Sequence, residues 1–506
     1  MAAPLALGSR PLRGEDVIAV ARDGRRVLLS PSALRRMTRS RRALERALSG
    51  GKALYGVNTG FGRLARTRIE GDDLVNLQLH LVRSHASGTG PELSGEVVRA
   101  MLLLRAASLA HGYSGVRPEL AKGFLALLNA DIVPRVPGRG SVGASGDLAP
   151  LAHITLALLG EGRVLHRGQS VMARTALRRA RIRPLKLTEK EGLASINGTQ
   201  ALTALGLITL WDACRLWEVS LAVGALSTEA IKGSDTPFHR RFGMVRTHPG
   251  HETAARRLRG YFAGSEIRKS HVKCDRVQDP YSFRCQPQVM GAVKDALDYA
   301  RSCLLHEINA VTDNPLVDDT SAAVLSGGNF HGQPVAMALD HVTLALVTLG
   351  NISERRTAAL MDPAISELPA FLAARPGRDS GLMLWQVSAA ALASENKTAA
   401  MPASSDTVPT SANQEDFVSM GMGAAHKAAE ALSRSEQIVA IELLAARFGI
   451  EHHAPLSTGR RLRPLMEQVG GRVRPMRADR NLQRDFAACL GLVRDGFSNI
   501  VAGESW

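Results

Sequence analysis

Residues 138–153 read Gly138-Arg-Gly-Ser-Val-Gly-Ala-Ser-Gly-Asp-Leu-Ala-Pro-Leu-Ala-His153. Glycines at 138, 140, 143 and 146, with prolines at 134 and 137 just upstream, leave no regular helix or strand expected across 134–146. The texture changes at Asp147, which is placed to cap a helix through LAPLAHITLALLGEG, with Pro150 tolerated in its first turn. A glycine-rich loop ahead of a helix often holds phosphate on backbone N–H groups. Here the Lys-Ser/Thr that completes a P-loop is missing, and no dinucleotide-type G-x-G-x-x-G opens the helix. What remains distinctive is Ala144-Ser145-Gly146, three small residues in a row, where the backbone can bend in ways that larger side chains forbid.

On the N-terminal side, residues 1–135 alternate short helical patterns with Gly-rich turns. The clearest helix is Glu96 to Ala110, with apolar residues at three-and-four spacing. Val and Leu alternating with Arg and Gly over 163–187 predict a little β-structure. Past residue 190, long apolar-periodic segments recur at 198–230, 288–311, 333–361, 381–400 and 418–447. Such lengths predict a bundle of long, largely buried helices. The segments between them (DPYSFRCQP, TDNPLV, LSGGNFHG, SSDTVPTSANQED) are polar and irregular, where site residues are expected. The chain thus reads as mainly α: an N-terminal mixed domain over 1–197, a long-helix bundle over 198–450, and a peripheral helical segment over 451–506.

The chain has 506 residues, and its 63 Lys+Arg against 47 Asp+Glu give a net charge of +16. The arginines are spread along the whole chain, and aromatic residues make up only 4%. A nucleic-acid binder concentrates charge in one stripe with stacking aromatics, so no nucleic-acid partner is expected. Five cysteines without a C-x-x-C pair support neither a disulfide framework nor a zinc site, and no metal is expected. The N-terminus lacks the apolar core of a signal peptide. Asp340 and His341 interrupt one of the most apolar stretches, and Asp212, Arg215 and Glu218 another. No membrane association and a cytoplasmic location are therefore expected.

Several further stretches stand in a fixed order along the chain. They are Tyr55-Gly-Val-Asn-Thr-Gly-Phe-Gly62, Glu191-Gly-Leu-Ala-Ser-Ile-Asn-Gly-Thr-Gln200, Val277-Gln-Asp-Pro-Tyr-Ser-Phe-Arg284 and Ser326-Gly-Gly-Asn-Phe-His-Gly332. Together with Ala144-Ser145-Gly146 they resemble the aromatic amino acid ammonia-lyases (histidine, phenylalanine and tyrosine ammonia-lyases), over roughly residues 50 to 450. The resemblance implies a fumarase/aspartase-like helical bundle and a homotetramer whose sites are shared between subunits. It also implies that Ala144, Ser145 and Gly146 cyclise and lose two waters to give 4-methylideneimidazole-5-one (MIO), so that no metal or dissociable cofactor is needed. Such an electrophile answers a real difficulty: an amine is a poor leaving group, and capturing it covalently makes it a better one. By the same resemblance Tyr55 is the base for the β-proton, although a phenol with an ordinary pKa of about 10 must be lowered to serve near neutral pH. Tyr281 assists at the prosthetic ring, Asn197 and Gln278 bind substrate, and Phe330 covers the ring. Arg284 clamps the substrate carboxylate, a task suited to its planar fork.

Substrate choice is read from two places. Ser84-His85 follows Leu-Val-Arg, as in histidine lyases, although His85 could donate to a phenol oxygen as well as to an imidazole nitrogen. Glu415, in Ser411-Ala-Asn-Gln-Glu-Asp-Phe-Val-Ser-Met420, falls where histidine lyases carry Glu and phenylalanine and tyrosine enzymes carry Gln. A carboxylate makes a charge-assisted hydrogen bond to an imidazole N–H, whereas against a phenyl ring it would be desolvated without return. The expected substrate is L-histidine and the products trans-urocanate and ammonia; the alternatives are a tyrosine ammonia-lyase or an MIO-dependent aminomutase. Four positions depart from the usual pattern: Ser195, Gln333, Met401 and Phe417.

Overall fold

The computed structural model of the chain describes residues 3–50, 54, 56–60, 69, 73–271 and 276–497. Five long helices dominate it: Gln200–Ala230, Gln286–Glu307, Gln333–Met361, Met383–Ala399 and Gly421–Glu451. At 1.5 Å per residue the longest run about 45 Å. Their starts carry local signals, with Pro287 and Pro334 in the first turns where no intrahelical N–H is needed. Gln333–Met361 stops where Asp362-Pro363 cannot continue it.

Gln200–Ala230, Gln333–Met361 and Gly421–Glu451 are buried along most of their length, whereas Gln286–Glu307 and Met383–Ala399 are buried on one side only. Gly206 lets two rods touch, since a Cβ there would lie 2.8 Å from a Leu339 methyl. By length and hydropathy alone Gln333–Met361 could cross a bilayer, but 72% of its most apolar stretch is buried inside this chain. A buried polar knot fixes the register of the bundle. Glu442 accepts from Ser227 Oγ (2.6 Å), Ser353 Oγ (2.6 Å) and the Arg356 fork (2.5 and 2.8 Å), which ties together three helices. Both ions are fully buried, so an alternative register that parted them would strand two charges in a low-dielectric interior.

The N-terminal part is a helical body with small patches of sheet. Gly95–Ala110 forms the predicted helix, buried along almost its whole length. Strand Ile132–Pro134 pairs with Arg163–His166, which pairs in turn with Gln169–Met172. The β-structure expected over 163–187 therefore ends at Met172, and Ala173–Arg179 is helical because Ala and Arg carry its alternation into a helix-forming composition. Within 134–146, where no strand was expected, Pro137–Arg139 pairs antiparallel with Thr89–Glu92. Proline's fixed φ suits such an edge. This pairing brings the end of helix Asp73–His85 beside the glycine-rich loop.

Candidate active site

The loop 140–147 is bent by glycine and then locked by its neighbours. Gly143 and Gly146 have φ of +74° and +73°, left-handed values that favour glycine. A Cβ on Gly146 would collide with the backbone of Gly198. The two glycines form an isolated parallel bridge, and Asp147 N donates to Gly198 O at 2.7 Å. Ser141 Oγ donates to Asp147 Oδ1 (2.9 Å) and accepts from Gly143 N (3.1 Å).

Asp147 precedes helix Leu148–Leu158 as expected, but its side chain does not cap that helix. Its Oδ2 accepts instead from Ala201 N (2.9 Å) and Leu202 N (2.8 Å), in the first turn of Gln200–Ala230. The carboxylate thus faces the positive end of the longer helix dipole and ties the loop to the bundle. Burial pushes its pKa up to about 6 against these stabilising bonds.

Ser145 stands at the meeting point of two predicted residues. Its hydroxyl donates to Glu415 Oε1 at 2.7 Å, and its carbonyl accepts from Asn197 Nδ2 at 2.9 Å. Asn197 is 3% exposed, follows the short helix Glu191–Ile196, and has an Oδ1 without a partner. Glu415 is aimed by a turn in which Ser411, Ala412 and Asn413 all take positive φ. Thr410 and Glu415 exchange backbone hydrogen bonds across that turn, and Thr410 Oγ1 donates to Glu415 Oε2 at 2.6 Å. Three successive left-handed residues are costly, and here they hold one carboxylate against one serine.

The remaining predicted residues divide by position. His85, half-buried at the end of its helix, engages Leu81 O through Nδ1 at 2.8 Å. Phe330 is half-buried in the turn before Gln333–Met361. Tyr281 and Arg284 form a cation–π pair at 4.4 Å on the short helix Tyr281–Arg284, with Gln278 exposed just before it. Tyr281 is 70% exposed, and Arg284 Nε is buried without a partner. Among the described residues, no hydrogen bond joins these three side chains to the Ser145 cluster. Tyr55 lies outside the described residues.

The four departures from the usual pattern are absorbed in different ways. Ser195 donates back into its own helix, to Gly192 O at 2.6 Å, away from Asn197's task. Gln333 donates to Ser404 O at 3.2 Å. Met401 is exposed, and its carbonyl accepts from Lys427. Phe417, also exposed, lies nearly parallel to His331 with ring centres 6.0 Å apart.

Residues 144–146 fit the cyclised group. Gly146 already holds a bend that a side chain would forbid, and the carbonyl of Ser145 is already gripped by a buried amide donor. The chain belongs to the aromatic amino acid lyase family, which it matches over residues 12–470. That family is of the MIO type.

Among relatives, the histidine ammonia-lyase of Sorangium cellulosum is 48% identical over 496 residues, 96% of each chain. That of Myxococcus xanthus is 46% identical over 485 residues, again 96% of each. Among solved structures, the histidine ammonia-lyase of Trypanosoma cruzi superimposes with a TM-score of 0.90 at 37% identity, covering 98% of this chain and 94% of that one. The tyrosine aminomutase of Streptomyces globisporus gives 0.92 at 34% identity, covering 98% and 97%.

Two contributors were not singled out from the sequence. Thr410 orients Glu415, and Arg105 donates to the main-chain carbonyl of Asn197 at 2.6 Å. Arg105 sits inside an apolar run, EVVRAMLLLRAASLA, and an arginine at a core-facing position of such a helix is the signal that could have found it.

Proposed function

We propose that this lyase eliminates ammonia from L-histidine to give trans-urocanate, using an MIO group formed from Ala144, Ser145 and Gly146. The observation that carries the reading is the carboxylate of Glu415 on the Ser145 hydroxyl. Loss of that hydroxyl on cyclisation frees Oε1 of its donor, in a position to accept an imidazole N–H with charge assistance. The relatives named histidine ammonia-lyase support the same substrate.

The MIO group would be held by Ala144, Ser145 and Gly146 and would supply an electrophile that makes the substrate's amine a better leaving group. Glu415 holds the imidazole and rejects apolar rings, which would bury its charge unpaired. Asn197 Nδ2 remains on the Ser145 carbonyl and stabilises negative charge that develops there. Arg284 clamps the carboxylate, and Tyr55 removes the β-proton. Among the described residues no hydrogen bond joins Tyr281 or Arg284 to the Ser145 cluster, which supports a reading in which a second copy supplies them, in a homotetramer; the cytoplasm is the proposed location.

The test is incubation with L-histidine, L-tyrosine and L-phenylalanine separately, following the ultraviolet band of the conjugated product, alongside the intact mass of the chain. Urocanate formed from histidine alone, by a chain lighter by two waters, is the expected result. Turnover of tyrosine in preference, or a β-amino acid product, would replace it with the tyrosine-lyase or aminomutase reading.

A further inference from the structure

Beneath the contact between Ser145 and Asn197 lies a layer of buried charge. Arg105, from helix Gly95–Ala110, is fully buried. Its Nη1 donates to Asn197 O at 2.6 Å and to Gln200 Oε1 at 2.9 Å, and its Nη2 reaches Ser108 Oγ at 3.4 Å. Its Nε has no partner. The carboxylate that attracts it, Asp313, is already paired with Lys190 at 2.7 Å, both fully buried. Burial accordingly pushes the Arg105 pKa down to about 10. A guanidinium kept in such a place without a carboxylate of its own is costly, and its hydrogen bonds go to one short segment, 197–200, and to its own helix.

That segment is pressed onto the guanidinium. At Gly198 a Cβ would lie 2.7 Å from Arg105 Nη1, 2.5 Å from Gln200 Oε1 and 2.7 Å from Thr312 Oγ1. The other face of the same segment meets the tripeptide, through Asn197 Nδ2 on Ser145 O and Gly198 O under Asp147 N. Gln200 Nε2 in turn donates to Thr312 Oγ1 at 2.7 Å, which braces the far side.

We propose that Arg105 is a positioning residue for the elimination: its guanidinium fixes the main chain of Asn197 so that the Asn197 amide stays on the Ser145 carbonyl. The proposal rests on the lyase reading above. Arg105 touches neither the substrate nor the tripeptide, so its loss acts on the chemical step more than on substrate capture.

The experiment uses the assembled enzyme with Arg105→Lys, which keeps the positive charge but replaces the planar fork with a point donor. Intact mass, melting temperature, kcat and KM for L-histidine are measured on the folded fraction. A displaced Asn197 lowers kcat by about 10²-fold. KM stays within about threefold, because the Asn197 contact at stake is the one to the Ser145 carbonyl, where charge develops, and the carboxylate clamp and Glu415 still hold the substrate. A merely structural role would lower the melting temperature and leave kcat per folded site unchanged, and that result overturns the proposal. If Arg105→Lys does not fold, Gln200→Met, which removes one of the two acceptors on Nη1, is expected to lower kcat by roughly 10-fold with KM preserved. An unchanged kcat in Gln200→Met is equally fatal. The wild-type mass is measured first: a chain that has shed no water overturns the lyase reading and this proposal together, whereas a normal wild type with an indifferent Arg105 overturns the proposal alone.

Discussion

Two groups of predicted residues meet very different surroundings. Around Ser145 each main polar group has a partner from a distant part of the same chain: Glu415 on the hydroxyl, Asn197 on the carbonyl, and the start of a long helix on Asp147. Around Tyr281 and Arg284 the side-chain polar contact among the described residues is the one they make with each other. The tyrosine ring lies under the neighbouring guanidinium, most of it is exposed, and Arg284 Nε is unpaired although buried. The first group is tied together by hydrogen bonds across the chain, and the second is not joined to it by any hydrogen bond among the described residues. Among the described residues, the cation and the phenol on this short helix find no polar partner beyond each other, which supports the proposal that a second copy uses them.

The sharpest way to break that contrast is subunit complementation. Ser145→Ala removes the hydroxyl from which the proposed MIO methylene would be made and should cut turnover by about 10³-fold or more. Arg284→Ala removes the proposed carboxylate clamp and should also leave little activity. Co-expressed in one cell, the two variants should form mixed assemblies with clearly more activity than either alone, since some sites would pair an intact tripeptide with an intact Arg284. Mixed assemblies that stay as inactive as their parents would place both groups in the same chain's site and remove the contrast.

A smaller effect sharpens the first group. Glu415→Gln keeps a hydrogen-bonding side chain of similar size but removes its charge. L-histidine turnover should fall by roughly 10²-fold and exclusion of phenyl substrates should relax. Unchanged kcat/KM for histidine would detach Glu415 from substrate recognition, whatever it does to Ser145.

The same contrast marks how far the sequence could be read. The bend at 143–146 was legible because only glycine adopts it cheaply, and the long helices were legible because their apolar spacing outruns any surface helix. Glu415 and Asn197 were legible as types of residue at expected places, but their convergence on Ser145 was not, since neither Asn197 Nδ2 nor Glu415 Oε1 betrays its aim in one dimension. Asp147 was misread for a physical reason. A capping residue normally serves the helix that follows it, whereas this one serves a helix that begins more than fifty residues later, at Gln200. Arg105 stayed hidden inside an apolar run for the same reason: its partners lie at 197 and 200. Nothing in the chain's own sequence could show the partner of Arg284 if that partner lies on another copy.

Asp147 provides the smallest and most quantitative test. Its pKa in the folded chain is about 6, above the model-compound value of 3.8, because burial opposes ionisation more than its three hydrogen bonds favour it. The folded state therefore holds this proton more tightly than the unfolded chain. The stabilisation that the protonated group brings is fully present below about pH 4 and is lost as pH rises through about 6. Asp147→Asn cannot titrate, so its stability relative to wild type should improve over that window by on the order of 3 kcal/mol, at 1.36 kcal/mol per pKa unit, and then stay level. Urea unfolding of both proteins at pH 4, 5, 6 and 7 reads the difference directly, since other titrating groups are common to both. A difference that is flat with pH would mean that Asp147 ionises at its ordinary pKa. The first turn of Gln200–Ala230 would then stabilise the carboxylate enough to cancel its burial, and the tie between the loop and the bundle would be stronger than its geometry alone suggests.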